Sequence, residues 1–290
     1  MEEKILHTID ELLKHNITRN EAVSRLLSLY NVMPSLLSFK ERRAKLKLSL
    51  RDVAKETGVS PATISRIERA QNLNRMKILI ACEESQATTI ELRKLGFDAW
   101  SCDLQDCSGG HPEWHIKGDV LNILNDGWDM MIAHPTCTYL TNSGVCWLYN
   151  KDGSRNKERW QNLKEAAEFF KKLLEAPIPL IAIENPIPHK YAVELIGRKY
   201  DQLVQPYHFG HTESKATCFW LKGLPKLKAT NDVKEQWKQL PKNEAQRLHY
   251  FPPGPERAKL RSKTFQGIAQ AMAVQWGNFL TETKRISQTK

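Results

Sequence analysis

The first quarter of the chain spaces its apolar residues at helical intervals. Ile5, Ile9, Leu12 and Leu13 share one face of a helix predicted over 2–14. Thr18 and Glu21 make a capping-box pattern ahead of Val23, Leu26, Leu27 and Leu29. A third helical pattern starts at Leu36, and two more lie between Leu50 and Ala70. A short polar linker, Asn72 to Arg75, follows. At Met76 the texture changes. Lys77–Ala81 is a continuous apolar run, as expected of a parallel strand buried on both faces. Strand and helix patterns then alternate. Strands are predicted at 77–81, 98–102, a short stretch ending near Gly118, 129–133 and 180–184, with helices at 86–95, 120–124 and 157–174. Such alternation predicts an α/β domain over 76–290, with a mostly parallel sheet and right-handed crossovers. A small all-α domain over 1–75 precedes it.

Composition narrows the choice of class. A length of 290 residues fits about two domains, and 41% apolar residues with 8 Trp exclude disorder throughout. No uncharged apolar run approaches the roughly 18 residues of a membrane span. The opening Met-Glu-Glu-Lys has no apolar segment of a secretory signal. The 6 Cys are scattered through the chain, which fits a reducing cytoplasm better than a disulfide framework. The net charge of +10 invites a polyanion. Residues 1–75 hold 14 Lys/Arg against 9 Asp/Glu, so half of the excess belongs to each part.

The segment 48–70 is the most legible. Leu50, Val53 and Ala54 form one buried helical face. Gly58 can take the positive φ of a tight turn. Val59 fills the space between helices, Ser60 is a natural N-cap, and Pro61 suits the first helical position. Ile64 and Ile67 make the inner face of a second helix. Its outer face offers Ala62, Thr63, Ser65, Arg66 and Arg69, short or basic groups able to reach base edges and phosphates, and Ser60, Thr63, Ser65, Arg66 and Arg69 are the DNA-binding candidates. With a preceding helix over 41–48, this pattern resembles the helix-turn-helix of the phage-repressor (Cro/CI-like, XRE) family. DNA as partner is the expectation; dimerisation through a helical hairpin is the plainer alternative, and a homodimer through this part is compatible with both.

In the second part, polar or reactive groups follow each strand. Cys82, Glu83 and Glu84 follow the first, Asp103 ends the second and Asp119 follows the third. Pro135-Thr136-Cys137 follows the fourth, and Glu184-Asn185-Pro186 closes the fifth. Ligands of open α/β sheets bind beyond these carboxyl ends. Gly118-Asp119-Val120, Pro135-Thr136-Cys137 and Glu184-Asn185-Pro186, at their spacing, resemble the core of the DNA cytosine-5 methyltransferases. The stretch from Met76 to Leu280 resembles compact phage-encoded cytosine methylase-like proteins. It shares with them runs such as Cys107-Ser-Gly-Gly-His111, Gln205-Pro-Tyr-His-Phe-Gly210 and Gly267-Ile-Ala-Gln-Ala-Met-Ala273.

The resemblance implies a Rossmann-like methyltransferase fold, S-adenosylmethionine as cofactor and DNA as substrate. Carbon 5 of cytosine is a poor nucleophile until a thiolate adds to C6, a task for Cys137. Glu184 would hydrogen-bond the ring at N3, Asn185 would hold the Glu184 loop, and Lys215 would supply a basic group. Asp103 would bind the cofactor ribose and Asp119 the adenine amino group. Cys82, Glu83, Glu84 and Pro135 would complete the cofactor pocket, a Glu taking the ammonium. Trp147 or Tyr139 could hold a flipped base out of its stack. A helix-turn-helix on such an enzyme implies autoregulation.

Four departures stand beside the resemblance. No glycine follows the first strand, where the family has an F-x-G-x-G run. Thr136 replaces a proline, Lys215-Ala-Thr217 stands where a Q-x-R-x-R strand is expected, and 186–261 leaves little room for a target-recognition domain. They motivate the alternative of a sequence-specific repressor whose second domain is inactive or senses a ligand. An amino-directed (N4 or N6) methyltransferase fits less well, because His134-Pro-Thr-Cys137 supplies a thiol. Cys102, Cys107, His111 and His115 have the residue types of a zinc site, yet Gly109, Gly110 and Pro112 equally let that loop fold over a cofactor.

Overall fold

The computed structural model describes residues 49–65, 76–252, 254 and 261–287. The helices expected over 2–14, after Thr18, from Leu36 and over 41–48 lie outside them, as do Ile67, Arg66 and Arg69. The chain divides into two compact units, Met1–Arg75 and Met76–Lys290.

In the first unit, helix α1 (Leu50–Thr57) begins at a complete capping box. Ser49 Oγ accepts from Asp52 N at 3.1 Å, and Asp52 Oδ2 accepts from Ser49 N at 2.6 Å. Gly58 closes the helix at φ 63°, a conformation that costs a side chain its Cβ clearance. Helix resumes at residues 61–65. Ser60 Oγ accepts from Thr63 N at 3.2 Å as its N-cap, and Ile64 is buried.

The second unit is built on a seven-stranded sheet. Its strands are β1 (Lys77–Ala81), β2 (Asp98–Asp103), β3 (His115–Lys117), β4 (Met130–Ala133), β5 (Leu180–Asn185), β6 (Gln202–Val204) and β7 (Thr217–Lys222). Their order is β3-β2-β1-β4-β5-β7-β6. β1 to β5 are parallel, and β7 lies antiparallel between β5 and β6. This is the Rossmann-like methyltransferase order, so the expected α/β class with a mostly parallel sheet is the one observed. Ile78 through Ala81 and Met130 through Ala133 are fully buried, because helices cover both faces.

Alternation along the strands divides the core. Leu79, Met131, Ile181 and Trp220 join a cluster with Leu163 and Phe170 of α3 (Lys157–Glu175) and Ile196 of α4 (Lys190–Ile196). Phe170 and Trp220 meet edge to face with ring centroids 4.9 Å apart. The alternate positions face α2 (Ala87–Lys94) and α5 (Gln266–Ser287), where Phe219 meets Trp276 at 5.5 Å. α5 fits closely here. A Cβ on Gly277 would lie 2.6 Å from the Phe97 ring, and one on Gly267 would lie 2.0 Å from Phe209 O. Gly267 N donates to His211 Nε2 at 2.9 Å. The runs around Phe209 and Gly267 are therefore the two halves of one helix-docking contact.

The helix expected at 120–124 is a single 3-10 turn, Val120–Asn122, capped by Asp119 Oδ1 on Leu121 N at 2.9 Å. The chain then continues in turns, with Ile123 N donating to Val120 O at 3.1 Å and Asp126 N to Ile123 O at 3.2 Å, before β4 begins at Met130. Between β7 and α5, Lys234–Gln239, Lys242–Ala245 and Arg247–Tyr250 are short helical turns. No helix among the described residues is long and apolar enough to cross a membrane.

Candidate functional site

The strand order reverses between β1 and β4, and the crevice at their carboxyl ends is where an open α/β sheet places ligands. The chain leaves β4 at His134, whose N–H still donates to Ala81 O of β1 at 2.9 Å. Buried Pro135 follows, then Cys137, whose carbonyl accepts from Leu140 N at 3.0 Å and Thr141 N at 3.1 Å. This turn holds the half-buried Cys137 at the mouth of the sheet.

β5 ends beside it. Asn185 is buried and donates its side-chain amide to Pro135 O at 2.8 Å, which ties the end of β5 to the Cys137 loop. Its Oδ1 is buried without a hydrogen-bond partner among the described residues. Glu184 lies opposite Phe219 in the β5–β7 register, and its Oε2 meets His134 Nδ1 at 3.3 Å. Burial opposes the ionised form of Glu184. The His134 hydrogen bond, the Lys215 ammonium and the neighbouring Thr217 hydroxyl outweigh it, so the carboxyl sits below its ordinary value.

Burial and the Glu184 charge together push the Cys137 thiol up, while Lys215 and Arg261 oppose them. Lys215 is anchored by donating from Nζ to Lys263 O at 3.3 Å and from its backbone N to Gln205 Oε1 at 3.0 Å. Cys137, Glu184, Asn185, Pro135 and Lys215 therefore form one neighbourhood. His134 and Arg261 join it without having been singled out in the sequence. His134 is legible only as an imidazole set directly between a buried strand and the Pro-Thr-Cys loop; nothing local to Arg261 signals its approach to the thiol.

The turn after β1 answers the missing glycines. Cys82 at φ 57° and Gln86 at φ 56° both take the left-handed conformation that glycine adopts most easily. Gln86 is fully buried. Its Nε2 donates to His111 O at 2.8 Å and Ser101 Oγ at 3.2 Å, and its Oε1 accepts from His111 N at 3.1 Å. These bonds offset the conformational cost. Another loop packs closely on this turn: a Cβ on Gly109 would lie 2.5 Å from Gln86 Cβ and 2.7 Å from Ser85 O.

The acidic candidates separate. Glu83 turns inward. Its carboxylate accepts from Thr88 N at 2.7 Å, Thr89 N at 3.2 Å and Thr89 Oγ1 at 2.7 Å, so it caps α2. Glu84 is half-buried at the turn. Asp103 at the end of β2 and the exposed Asp119 lie close enough to Cys82 to raise its thiol, which burial first and then these charges push up to about 12. Two strand-end carboxylates facing one crevice suit hydroxyl and amino donors.

The cysteine–histidine loop is tied by hydrogen bonds of its own. His115 bonds Ser101 Oγ at 2.8 Å through Nδ1 and Gln105 O at 2.9 Å through Nε2, and Cys102 Sγ donates to Gly118 O at 3.5 Å. Among the described residues no group of three His, Cys, Asp or Glu could hold a metal ion. In the first unit, Ser60 and Thr63 share a 2.9 Å hydrogen bond between hydroxyls, with Ser60 exposed and Thr63 and Ser65 partly exposed.

Comparison with known proteins adds one domain. Residues 39–84 match a helix-turn-helix family model, and the N-terminal part carries such a domain. The match runs on across β1, which belongs to the sheet. No curated protein matches the chain. One similar solved structure is a provisionally assigned DNA modification methyltransferase encoded within an E. coli prophage, at TM-score 0.34 and 16% identity. That similarity covers 58% of this chain and 56% of that one, so the chain spans little more than half its length. Another is an rRNA methylase from Escherichia coli, at TM-score 0.30 and 15% identity, covering 76% of this chain and 91% of that one. At that level neither likeness bears on activity.

Proposed function

We propose that residues 76–290 are a DNA cytosine-5 methyltransferase domain and that residues 1–75 are a DNA-binding domain that can direct it or repress its own promoter. The observation that carries this reading is the meeting of Cys137, Glu184 and Lys215 at the carboxyl ends of β4 and β5, braced by the Asn185–Pro135 bond.

The groups at the carboxyl ends of β1, β2 and β3 support the same reading. Asp103 and Asp119 would hold the ribose hydroxyls and the adenine amino group of S-adenosylmethionine, Glu84 its ammonium, and Cys82 and Pro135 would line it. Glu83 is reassigned to the helix cap. The left-handed conformations of Cys82 and Gln86 are ones that glycine adopts easily, which supports a glycine-like turn after β1. When bound, S-adenosylmethionine supplies an electrophilic methyl group.

The chain's own residues do the rest. The Cys137 thiol must lose its proton before adding to C6 of a flipped cytosine, and Lys215 and Arg261 favour that loss. Glu184 faces the ring at N3. The His134–Glu184 contact would orient the carboxyl, and a proton taken up by Glu184 from water as charge develops on the ring would be donated to N3. After methyl transfer, water would take the C5 proton, the freed electron pair would form the C5=C6 bond as the C6–S bond breaks to release the Cys137 thiolate, and N3 would return its proton to Glu184. Full-length protein with a 5-fluorocytosine oligonucleotide tests the scheme, because fluorine blocks the final proton loss. A covalent adduct with wild type and none with Cys137→Ser is expected; equal behaviour of the two refutes the cysteine mechanism.

Two observations favour the second reading, a repressor with an inactive or ligand-sensing domain. Glu83 is spent on α2, and the Cys137 thiol is raised. Calorimetry with S-adenosylmethionine separates the two: absence of heat at saturating concentration supports the repressor. A homodimer through the N-terminal unit fits either reading and is read from the mass in solution.

A further inference from the structure

The loop after Cys137 carries an exposed aromatic and basic face that the chemistry above leaves unused. Asn142–Leu148 is a 3-10 turn in which Leu148 is 1% exposed while Trp147 is 66% exposed. Tyr149, 37% exposed, follows and bridges Arg155 in an antiparallel pair. Asp152 closes the intervening turn by accepting from Ser154 N at 2.9 Å and Ser154 Oγ at 2.6 Å. This hairpin is therefore shaped by its own bonds.

Rings support it from behind. Trp160 and Tyr191 meet at 5.0 Å, and the Tyr149 and Tyr191 hydroxyls share a 2.8 Å hydrogen bond. Cations lie on the ring faces, Arg155 at 4.7 Å from the Trp160 centroid and Arg159 at 4.5 Å from that of Tyr139. An open groove runs along Trp147, Tyr149, Lys151, Asn156 and Arg159. It begins beside the thiol loop, because Arg159 Nη2 donates to Thr138 O at 2.9 Å.

Between Trp147 and Trp160, Lys151, Arg155, Lys157 and Arg159 outnumber Asp152 and Glu158. An anionic chain is the complementary occupant. Aromatic faces interleaved with cations match a strand whose bases are free to stack, whereas a duplex hides its base faces. The helix-turn-helix on the same chain points to DNA as the polymer. We propose that this groove is a track for single-stranded DNA, in which Trp147 stacks on a base and Lys151 and Arg155 contact phosphates. The proposal rests on the reading that this domain acts on DNA, and is independent of methyl transfer.

The test uses the full chain without cofactor, so loss of catalysis neither mimics nor masks the result. Fluorescence anisotropy of a labelled short oligothymidylate is compared with that of a duplex of equal length. Trp147→Ala is expected to weaken oligothymidylate binding by about 5- to 50-fold, as for loss of one stacked base, with duplex binding unchanged. Trp147→Phe is expected to restore most of the affinity, which separates stacking from misfolding. Arg155→Ala is expected to lower the salt slope by about 0.7. Equal oligothymidylate affinity of wild type and Trp147→Ala overturns the proposal. So does an equal loss on duplex. A concentration-dependent rise in mass that Trp147→Ala abolishes also overturns it, since a second copy of this chain then covers the groove.

Discussion

Glu184 Oε2 and His134 Nδ1 stand 3.3 Å apart across the gap between β5 and β4, and this contact is part of what holds a buried carboxyl in its charged form. Glu184 therefore favours folding more when ionised than when protonated. Its native value lies below the free value of 4.5, so its contribution is fully present above that pH and is lost as pH falls through the native value. Glu184→Gln is expected to flatten the acid limb of a urea-midpoint series. His134→Asn leaves the charge less compensated and is expected to cost about 1–3 kcal/mol at neutral pH and to move the acid limb upward.

Alkylation of Cys137 reads the same charges from the other side. Glu184 raises the thiol and Lys215 lowers it. With iodoacetamide at neutral pH, followed by mass spectrometry of the Cys137 peptide, Glu184→Gln is expected to react faster and Lys215→Met slower, each by roughly 3- to 10-fold. The wild-type rate rises as pH rises, because the protonated thiol predominates below its elevated value.

Glu83 and Glu84 are adjacent yet differ in consequence. Glu83 accepts three hydrogen bonds from the start of α2. Glu83→Ala is expected to lose about 2–4 kcal/mol of stability in chemical denaturation. Glu84→Ala is expected to leave the denaturation midpoint within about 0.5 kcal/mol and to weaken S-adenosylmethionine in calorimetry.

Gly109 allows one loop to press on another. A methyl group there would stand 2.5 Å from Gln86 Cβ and 2.7 Å from a backbone oxygen, and the oxygen cannot turn away. Gly109→Ala is expected to destabilise by about 1–3 kcal/mol. At Gly110 a Cβ would meet nothing within 4 Å, but φ is +87°. Gly110→Ala is therefore expected to cost only the roughly 1–2 kcal/mol of a left-handed alanine. Thermal or urea midpoints of the two variants check the difference.

In the first unit, Ser60→Ala removes the side-chain acceptor of Thr63 N. A loss of about 1 kcal/mol in stability is expected, with weaker duplex binding following from a frayed second helix. Duplex affinity measured below and above the melting range separates the two effects.

Much of this architecture is legible from local pattern. The apolar runs of β1, β4 and β5 announce strands, and Gly58 and Ser60 announce where one helix stops and the next starts. Such signals depend on burial periodicity and on backbone sterics, which neighbours in sequence determine. The placing of Cys82, Asp103, Asp119, Cys137 and Glu184 after strands follows from the same alternation, since a parallel sheet brings all its carboxyl ends to one edge.

Tertiary contact decided the remainder. Nothing local distinguishes Glu83 from Glu84; the α2 N-terminus takes one and leaves the other at the turn. The absence of glycine after β1 does not reveal that Cys82 and Gln86 take left-handed conformations, or that Gly109 of a distant loop packs against that turn. His134 reached Glu184, and Asn185 reached Pro135, because β4 and β5 are neighbours in space while 50 residues apart in sequence. The chain by itself thus determined the elements, their order and the edge where reactive groups gather. Which of those groups is charged, capped or free to act was decided by long-range hydrogen bonds and burial, which exist only once the sheet is closed.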